Sequence, residues 1–222
     1  MNKLASSLIF SLEKLRLKNR RFILLSNNCW GYEIYRALGR QYNTPFVGLF
    51  LFPECYVRFL ENFEKCIYLP LGFTKTSKYV KECTSITYPI GLLNNDIEIH
   101  FLHYSSESEA LEKWSRRIGR LKRDIKSNVP IFVKFCDRDC CSKEQLSMFH
   151  SLPFENKLSI GVNPLSAANH LCQPKMKASE GVFVLDGLSL YRKRYHYFDI
   201  SCWLSKGRLR HSAISRILSL IS

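Results

Sequence analysis

Apolar positions along this chain change their period repeatedly between that of a helix and that of a strand. From Leu4 to Leu17, Leu8, Leu12 and Leu15 recur at helical spacing with Lys14 and Arg16 between them, which predicts an amphipathic basic helix over residues 1–21. Phe22-Ile23-Leu24-Leu25 is a short continuous apolar run and reads as a buried strand. Ser26-Asn27-Asn28-Cys29-Trp30-Gly31 follows as a turn. A helix is then expected over Tyr32 to Tyr42, with Ile34, Leu38 and Tyr42 on one stripe, and Asn43-Thr44-Pro45 ends it. Phe46 to Phe52 is the next expected strand, so the segment reads as a strand–helix–strand unit with parallel pairing.

The alternation continues. Tyr56, Phe59, Leu60 and Phe63 mark an amphipathic helix. Ile97 to Tyr104 reads as a strand carrying His100 and His103. Ser106 and Glu109 have capping-box spacing and open a helix whose stripe is Leu111, Trp114, Ile118, Leu121 and Ile125. Ile131 to Phe135 is a strand, Ser142 and Gln145 cap a short helix, and further strands are expected at Leu158 to Val162 and Val182 to Leu185. Arg208 to Ile221 has the pattern of a basic amphipathic helix. The whole predicts an α/β protein: a single domain at 22–205, three-layered and Rossmann-like, with a mostly parallel sheet, helices on both faces, and a further helix at 206–222.

Composition narrows the function classes. The 222 residues are 46% hydrophobic, ordinary for a globular chain, and no apolar run reaches the roughly 20 residues a membrane span requires. The basic N-terminal segment lacks an apolar core followed by a small-residue cleavage site, so a cytoplasmic location is expected. Nine irregularly spaced cysteines fit reduced thiols; Cys136, Cys140 and Cys141 cluster without the partners that would complete a zinc site. A net charge of +14 favours anionic partners, among them phosphorylated or nucleotide-linked small molecules and an anionic membrane surface. Without a nucleic-acid signature, nucleic acid is the less favoured partner.

Chemistry concentrates where ligands bind in open α/β sheets, beyond the carboxyl ends of the strands. Cys29, at the start of a helix, would face free N–H groups and the positive end of a helix dipole, which favour a thiolate. Ser26 beside it is a second candidate nucleophile. Asn27 and Asn28 would offer amide donors to an oxyanion, Trp30 would line the substrate, and Gly31 would let a ligand approach the backbone. These residue types are also ordinary turn formers, and most free cysteines are simply small buried side chains. His103, nearer the strand's carboxyl end than His100, is the candidate general base. Asp137 and Asp139, flanking Arg138, have the spacing to hold Mg²⁺ or Mn²⁺ beside a diphosphate, with a helix-leading loop as the plainer reading. Arg116, Arg117 and Arg120 could grip a phosphate or form a solvated helix face, and Tyr191 to Tyr197 mixes bases and aromatics as a sugar-binding surface would.

Several ordered blocks resemble one family. Ser26 to Gly31, Tyr42-Asn43-Thr44-Pro45, Val47-Gly48-Leu49-Phe50, Tyr88-Pro89-Ile90-Gly91, Ile97 to Tyr104, Lys113-Trp114 with Arg117, Lys134-Phe135 with Arg138-Asp139, Leu152-Pro153-Phe154 with Lys157, and Asp199 with Trp203-Leu204 are similar to domain-of-unknown-function family 1919. Its members are usually called exopolysaccharide biosynthesis proteins, and the resemblance covers roughly residues 20–205. Tyr32 departs from it, standing where a second glycine is expected after Gly31. The resemblance implies a bacterial role in capsule, exopolysaccharide or O-antigen assembly and supplies no catalytic residues. The Asn-Cys turn is also similar to that of capsule-associated acetyltransferases that bind coenzyme A. The expected function is therefore an acyl- or acetyltransferase, with acyl-coenzyme A as donor and a carbohydrate acceptor. Cys29 or Ser26 would carry the acyl group, His103 would be the base, and Arg117 and Asp139 would bind substrate. Two alternatives stand: a glycosyltransferase using a nucleotide sugar with Mg²⁺ or Mn²⁺, and a non-catalytic assembly factor held peripherally at the inner face of the membrane by its terminal helices.

Overall fold

The computed structural model describes residues 3–79 and 86–209. Four short strands, β1 (Ile23–Ser26), β5 (Ile131–Cys136), β6 (Asn156–Gly161) and β7 (His170–Cys172), form a wholly parallel sheet in the order β1-β5-β6-β7. A second, antiparallel sheet contains β2 (Gly72–Thr74), β3 (Ile90–Leu93) and β4 (Ile97–His100). The β3–β4 reversal is made by Asn94 and Asn95, with φ of 50° and 55°, a left-handed conformation that asparagine tolerates. The fold is thus α/β, as the periodicity predicts, with a small antiparallel sheet added.

Both faces of the parallel sheet are covered. Ile23, Leu25, Val133 and Phe135 face one core, which includes side chains of α3 (Pro53–Glu61), α5 (Glu107–Lys126) and α6 (Lys143–Ser151). Leu24, Phe132, Leu158 and Ile160 face another, with α2 (Trp30–Leu38), α7 (Gly187–Arg192) and α8 (Ile200–Lys206). This is the alternation expected of strands buried on both faces. The remaining helices are α1 (Lys3–Leu17) and the single turn α4 (Phe63–Cys66). At α6 the capping box forms in full: Gln145 N–H donates to Ser142 Oγ at 3.2 Å, and Ser142 N–H donates to Gln145 Oε1 at 2.8 Å. At α5, Ser106 Oγ accepts from Glu109 N–H, while the Glu109 carboxylate accepts from Ser105.

Five expectations change. Helix α2 ends at Leu38, because Gly39 takes a left-handed φ of 64° and closes the last turn, leaving Tyr42 outside it. Residues 46–52 form no regular strand. Gly48 has a φ of 71°, which breaks the run, and Phe50 makes one antiparallel bridge to His100. The parallel neighbour of β1 is β5 instead. Val184 likewise makes only an isolated bridge, to Lys177, and β4 stops at His100 rather than Tyr104.

Helix α1 is docked on the domain. Leu17 is buried, Arg194 pairs with Glu13 at 2.8 Å, and Arg16 reaches Asp199 at 3.1 Å, although Leu12 and Leu15 stay exposed. Among the described residues no helix is long and apolar enough to cross a membrane. The expected helix at Arg208 to Ile221 lies outside the described residues from Arg210 onward.

Candidate functional site

The site is built where β1 leaves the sheet. Ser26 ends β1 in register with Lys134 of β5, so the turn that follows hangs over the carboxyl end of the two strands. Residues 47–51 run past this turn as an extended strap. Leu51 N–H donates to the carbonyl of Asn27 at 3.0 Å, and Phe50 and His100 exchange two backbone hydrogen bonds of 2.9 Å.

Successive carbonyls of the strap gather side chains that are distant in sequence. The Val47 carbonyl accepts from the Tyr104 hydroxyl at 2.5 Å and from the Arg117 guanidinium at 3.2 Å. The Gly48 carbonyl accepts from the backbone N–H of His103 at 3.0 Å. The Cys29 thiol points at the Leu49 carbonyl, 3.9 Å away. The Cys29 thiol and the His103 backbone amide therefore meet adjacent residues of one segment. A Cβ at Gly48 would lie 3.3 Å from His103 Cβ and 3.2 Å from the Tyr104 ring, a measure of how closely the strap and the His103 turn approach.

Cys29 is half-buried at the N-cap of α2, immediately before its first turn. The expected thiolate preference is reversed: burial first, then the carboxylates of Glu33 and Asp186, push its thiol up to about 11, against a smaller opposing effect of Lys134. The thiol is therefore protonated near neutral pH and needs a base to act as a nucleophile. These two carboxylates also make the immediate surroundings of Cys29 acidic despite the chain's basic charge. His103 sits in an exposed turn after β4, not on the strand. His100 is fully buried, with Nδ1 3.3 Å from the Tyr88 hydroxyl and Nε2 3.3 Å from the Glu98 carboxylate; burial lowers its proton affinity, with Glu98 opposing.

The other turn residues face inward. Asn28 Oδ1 accepts from Lys134 Nζ at 3.1 Å, from Trp30 N–H at 3.2 Å and from Ser26 Oγ at 3.5 Å, while its amide donates to Cys136 Sγ at 3.2 Å. Asn27 is fully buried, with its amide toward Cys136 at 3.7 Å and its oxygen 3.5 Å from Lys134. Both asparagines organise the turn from below, instead of presenting amide donors to an oxyanion. Ser26 is 1% exposed, too deep for a nucleophile. Gly31 serves helix packing rather than ligand approach, since a Cβ there would lie 2.8 Å from Ser26 Cβ. Trp30 is a core residue stacked near Phe198, with its Nε1–H donating to the Tyr197 hydroxyl at 3.4 Å.

Arg117 and Asp139 also differ from expectation. Arg117 is buried, stacks on Tyr42 and donates to Tyr104 as well as Val47, so its fork holds the strap rather than a phosphate. Asp139 is half-buried at the end of β5, in a left-handed pair with Cys140, each with φ of 65°. Burial pushes its carboxyl up, with Arg138 and Lys134 opposing. Asp137 ties the sheet to its loops: one oxygen accepts from Val162 N–H at 2.6 Å and the other from Val184 N–H at 2.9 Å. With both oxygens engaged it is poorly placed for a cation, and among the described residues no three His, Cys, Asp or Glu side chains form a metal-holding group.

Lys134 is the residue that periodicity did not single out for chemistry. It lies in the middle of the apolar run Ile131 to Cys136, and a strand buried on both faces must bury its lysine too. Its side chain has 0% exposure, lies 5.6 Å from the Trp30 ring, and has no carboxylate in ion-pair range among the described residues.

An open parallel sheet with a buried Asn-Asn-Cys turn at the carboxyl end of an edge strand defines an α/β protein with a strand-end site. The chain belongs to the family described as domain of unknown function (DUF1919), whose model matches residues 1–205 and so takes in α1 as well. It is 34% identical over 194 residues to a Haemophilus influenzae protein described as uncharacterized, an overlap covering 86% of this chain and 87% of that relative.

Proposed function

We propose that the protein is an acyl- or acetyltransferase of bacterial surface-polysaccharide assembly, moving an acyl group from a thioester donor such as acyl-coenzyme A to a sugar or its precursor. The observation that carries this reading is that the Cys29 thiol lies against the Leu49 carbonyl while the backbone amide of His103 bonds the neighbouring Gly48 carbonyl, which brings the two residues to one segment. A half-buried thiol held up at about 11 is a weak nucleophile alone and needs a base, the role this reading gives to the imidazole of His103. His103 takes the thiol proton as sulfur adds to the thioester carbonyl. The donor's C–S bond breaks, and its thiolate leaves with the proton from His103. A sugar hydroxyl then attacks acyl-Cys29 and gives its proton to His103, which returns it to the departing cysteine sulfur. The acidic surroundings from Glu33 and Asp186 suit a neutral sugar hydroxyl near Cys29 and leave the donor's phosphates to basic surface farther out. The polysaccharide role rests on the sequence blocks shared with proteins named for exopolysaccharide biosynthesis.

The half-reaction tests this without a known acceptor. Incubation with acetyl-coenzyme A is expected to release free coenzyme A and leave one acetyl group on Cys29, with His103→Ala slowing the step and Cys29→Ala abolishing it. Equal release from Cys29→Ala, folded as judged by circular dichroism, would overturn the nucleophile.

A further inference from the structure

A buried lysine without a carboxylate partner is costly to keep charged, so its hydrogen-bond partners decide what it can do. Lys134 has the acceptors a charged lysine needs, Asn28 Oδ1 at 3.1 Å and Asn27 Oδ1 at 3.5 Å, with the face of Trp30 beside it. Those acceptors belong to the two residues immediately before Cys29. Two further contacts fix the same corner, Asn28 Oδ1 accepting from Trp30 N–H and its amide reaching Cys136, and Gly187 of α7 lies so close that a Cβ there would stand 3.0 Å from Asn28 Oδ1.

We propose that Lys134 is the positioning residue of the Cys29 site, its buried positive charge offsetting the negative charge that develops on the Cys29 sulfur. It touches neither substrate nor sulfur in the resting state; it acts through the field it sets and the turn it holds. Glu33 and Asp186 set unfavourable charge beside Cys29, and among the described residues Lys134 is the cation that lowers its thiol's proton affinity. Burial pulls Lys134 toward its neutral form, while Cys136, Asp139 and Asp137 favour the charged one. This inference shares its site with the transferase reading, but it is tested by a reaction that needs no acyl donor.

The test is alkylation of the full chain by iodoacetamide at pH 8, with Cys29 followed by peptide mass spectrometry and Cys202 on α8 as the reference thiol. Lys134→Met keeps an unbranched side chain, one atom shorter, and removes its charge. Thiolate fraction falls tenfold per pKa unit while intrinsic nucleophilicity partly recovers, so the Cys29 rate is expected to fall roughly threefold per unit relative to Cys202. Asn28→Asp, which sets a carboxylate against the ammonium, is expected to act in the same direction and decides the matter if Lys134→Met does not fold. A merely structural lysine predicts the opposite sign, since a loosened turn exposes Cys29. An unchanged or faster Cys29 rate in the folded variants overturns the proposal. Slower alkylation together with no acetylation of wild-type Cys29 would keep the role of Lys134 and remove the transferase reading.

Discussion

Gly48 is the position where backbone conformation and the candidate site are most tightly joined, and Gly39 provides its control. Both have left-handed φ, 71° and 64°, but a Cβ at Gly39 meets nothing within 4 Å, whereas one at Gly48 meets Tyr104 at 3.2 Å and His103 at 3.3 Å. Left-handed backbone costs an alanine about 1–2 kcal/mol, which sets the expected loss for Gly39→Ala. Gly48→Ala adds crowding against a ring that cannot easily retreat, because Tyr104 is buried and hydrogen-bonded to both Val47 and Arg117. Overpacking of this kind costs about 1–3 kcal/mol more, for a total of roughly 2–5 kcal/mol. Urea unfolding of both variants, compared at constant slope, measures the difference, and the same samples report Cys29 alkylation. Gly48→Ala is expected to be the less stable by at least about 1 kcal/mol, a further 2–4 °C in Tm for a domain of this size, and to change the Cys29 rate. Equal losses from the two substitutions would refute a closely packed strap.

Other perturbations test other parts of the structure. His150 Nε2 and His170 Nδ1 each lie 2.7 Å from the buried Ser159 hydroxyl, and burial followed by His170 and Lys157 lowers His150 to about 4. The unfolded chain therefore binds the extra proton first, so stability present above about pH 6.5 is lost as pH falls toward 4, by up to roughly 3 kcal/mol. Chemical unfolding at pH 7 and pH 4.5 should show a smaller difference for His150→Gln than for wild type; an identical difference would contradict this. Asp137→Asn leaves Val162 or Val184 N–H facing an amide and should cost about 1–3 kcal/mol in urea unfolding, even though it relieves a buried charge; a stabilised variant would contradict the clamp. Gly119 lies within α5 with open space around its Cβ position, so Gly119→Ala should stabilise by about 1 kcal/mol, read as a higher urea midpoint.

Period and capping were enough to read the layers of this fold, because α5, α6 and the buried strands β5 and β6 each carry a local signal that tertiary packing reinforces. The run 46–52 misled for one reason: its apolar residues read as a strand, but Gly48 turns the backbone left-handed and converts the run into a strap with single bridges. Gly39 was a visible stop for α2 that the stripe ending at Tyr42 obscured. The location of the candidate site was suggested by the turn after β1, yet the direction of its side chains was not. Which way Asn27 and Asn28 point depends on Lys134 and Cys136, more than a hundred residues along the chain and brought alongside only by β1–β5 pairing. Lys134 carried a readable cue, a lysine inside a run too apolar to have a solvent face. The convergence of Cys29, His103 and Arg117 on Val47 to Leu49 had none, because it arises from contacts between a helix start, a turn and a helix far apart in sequence.

Intact-protein mass spectrometry after brief exposure to acetyl-coenzyme A, followed by peptide mapping, addresses the proposed chemistry most directly. A single acetyl group on Cys29, formed more slowly in His103→Ala, is the expected result. Acetylation that is absent, or spread over the exposed thiols with Cys29 untouched, would contradict a Cys29–His103 transferase.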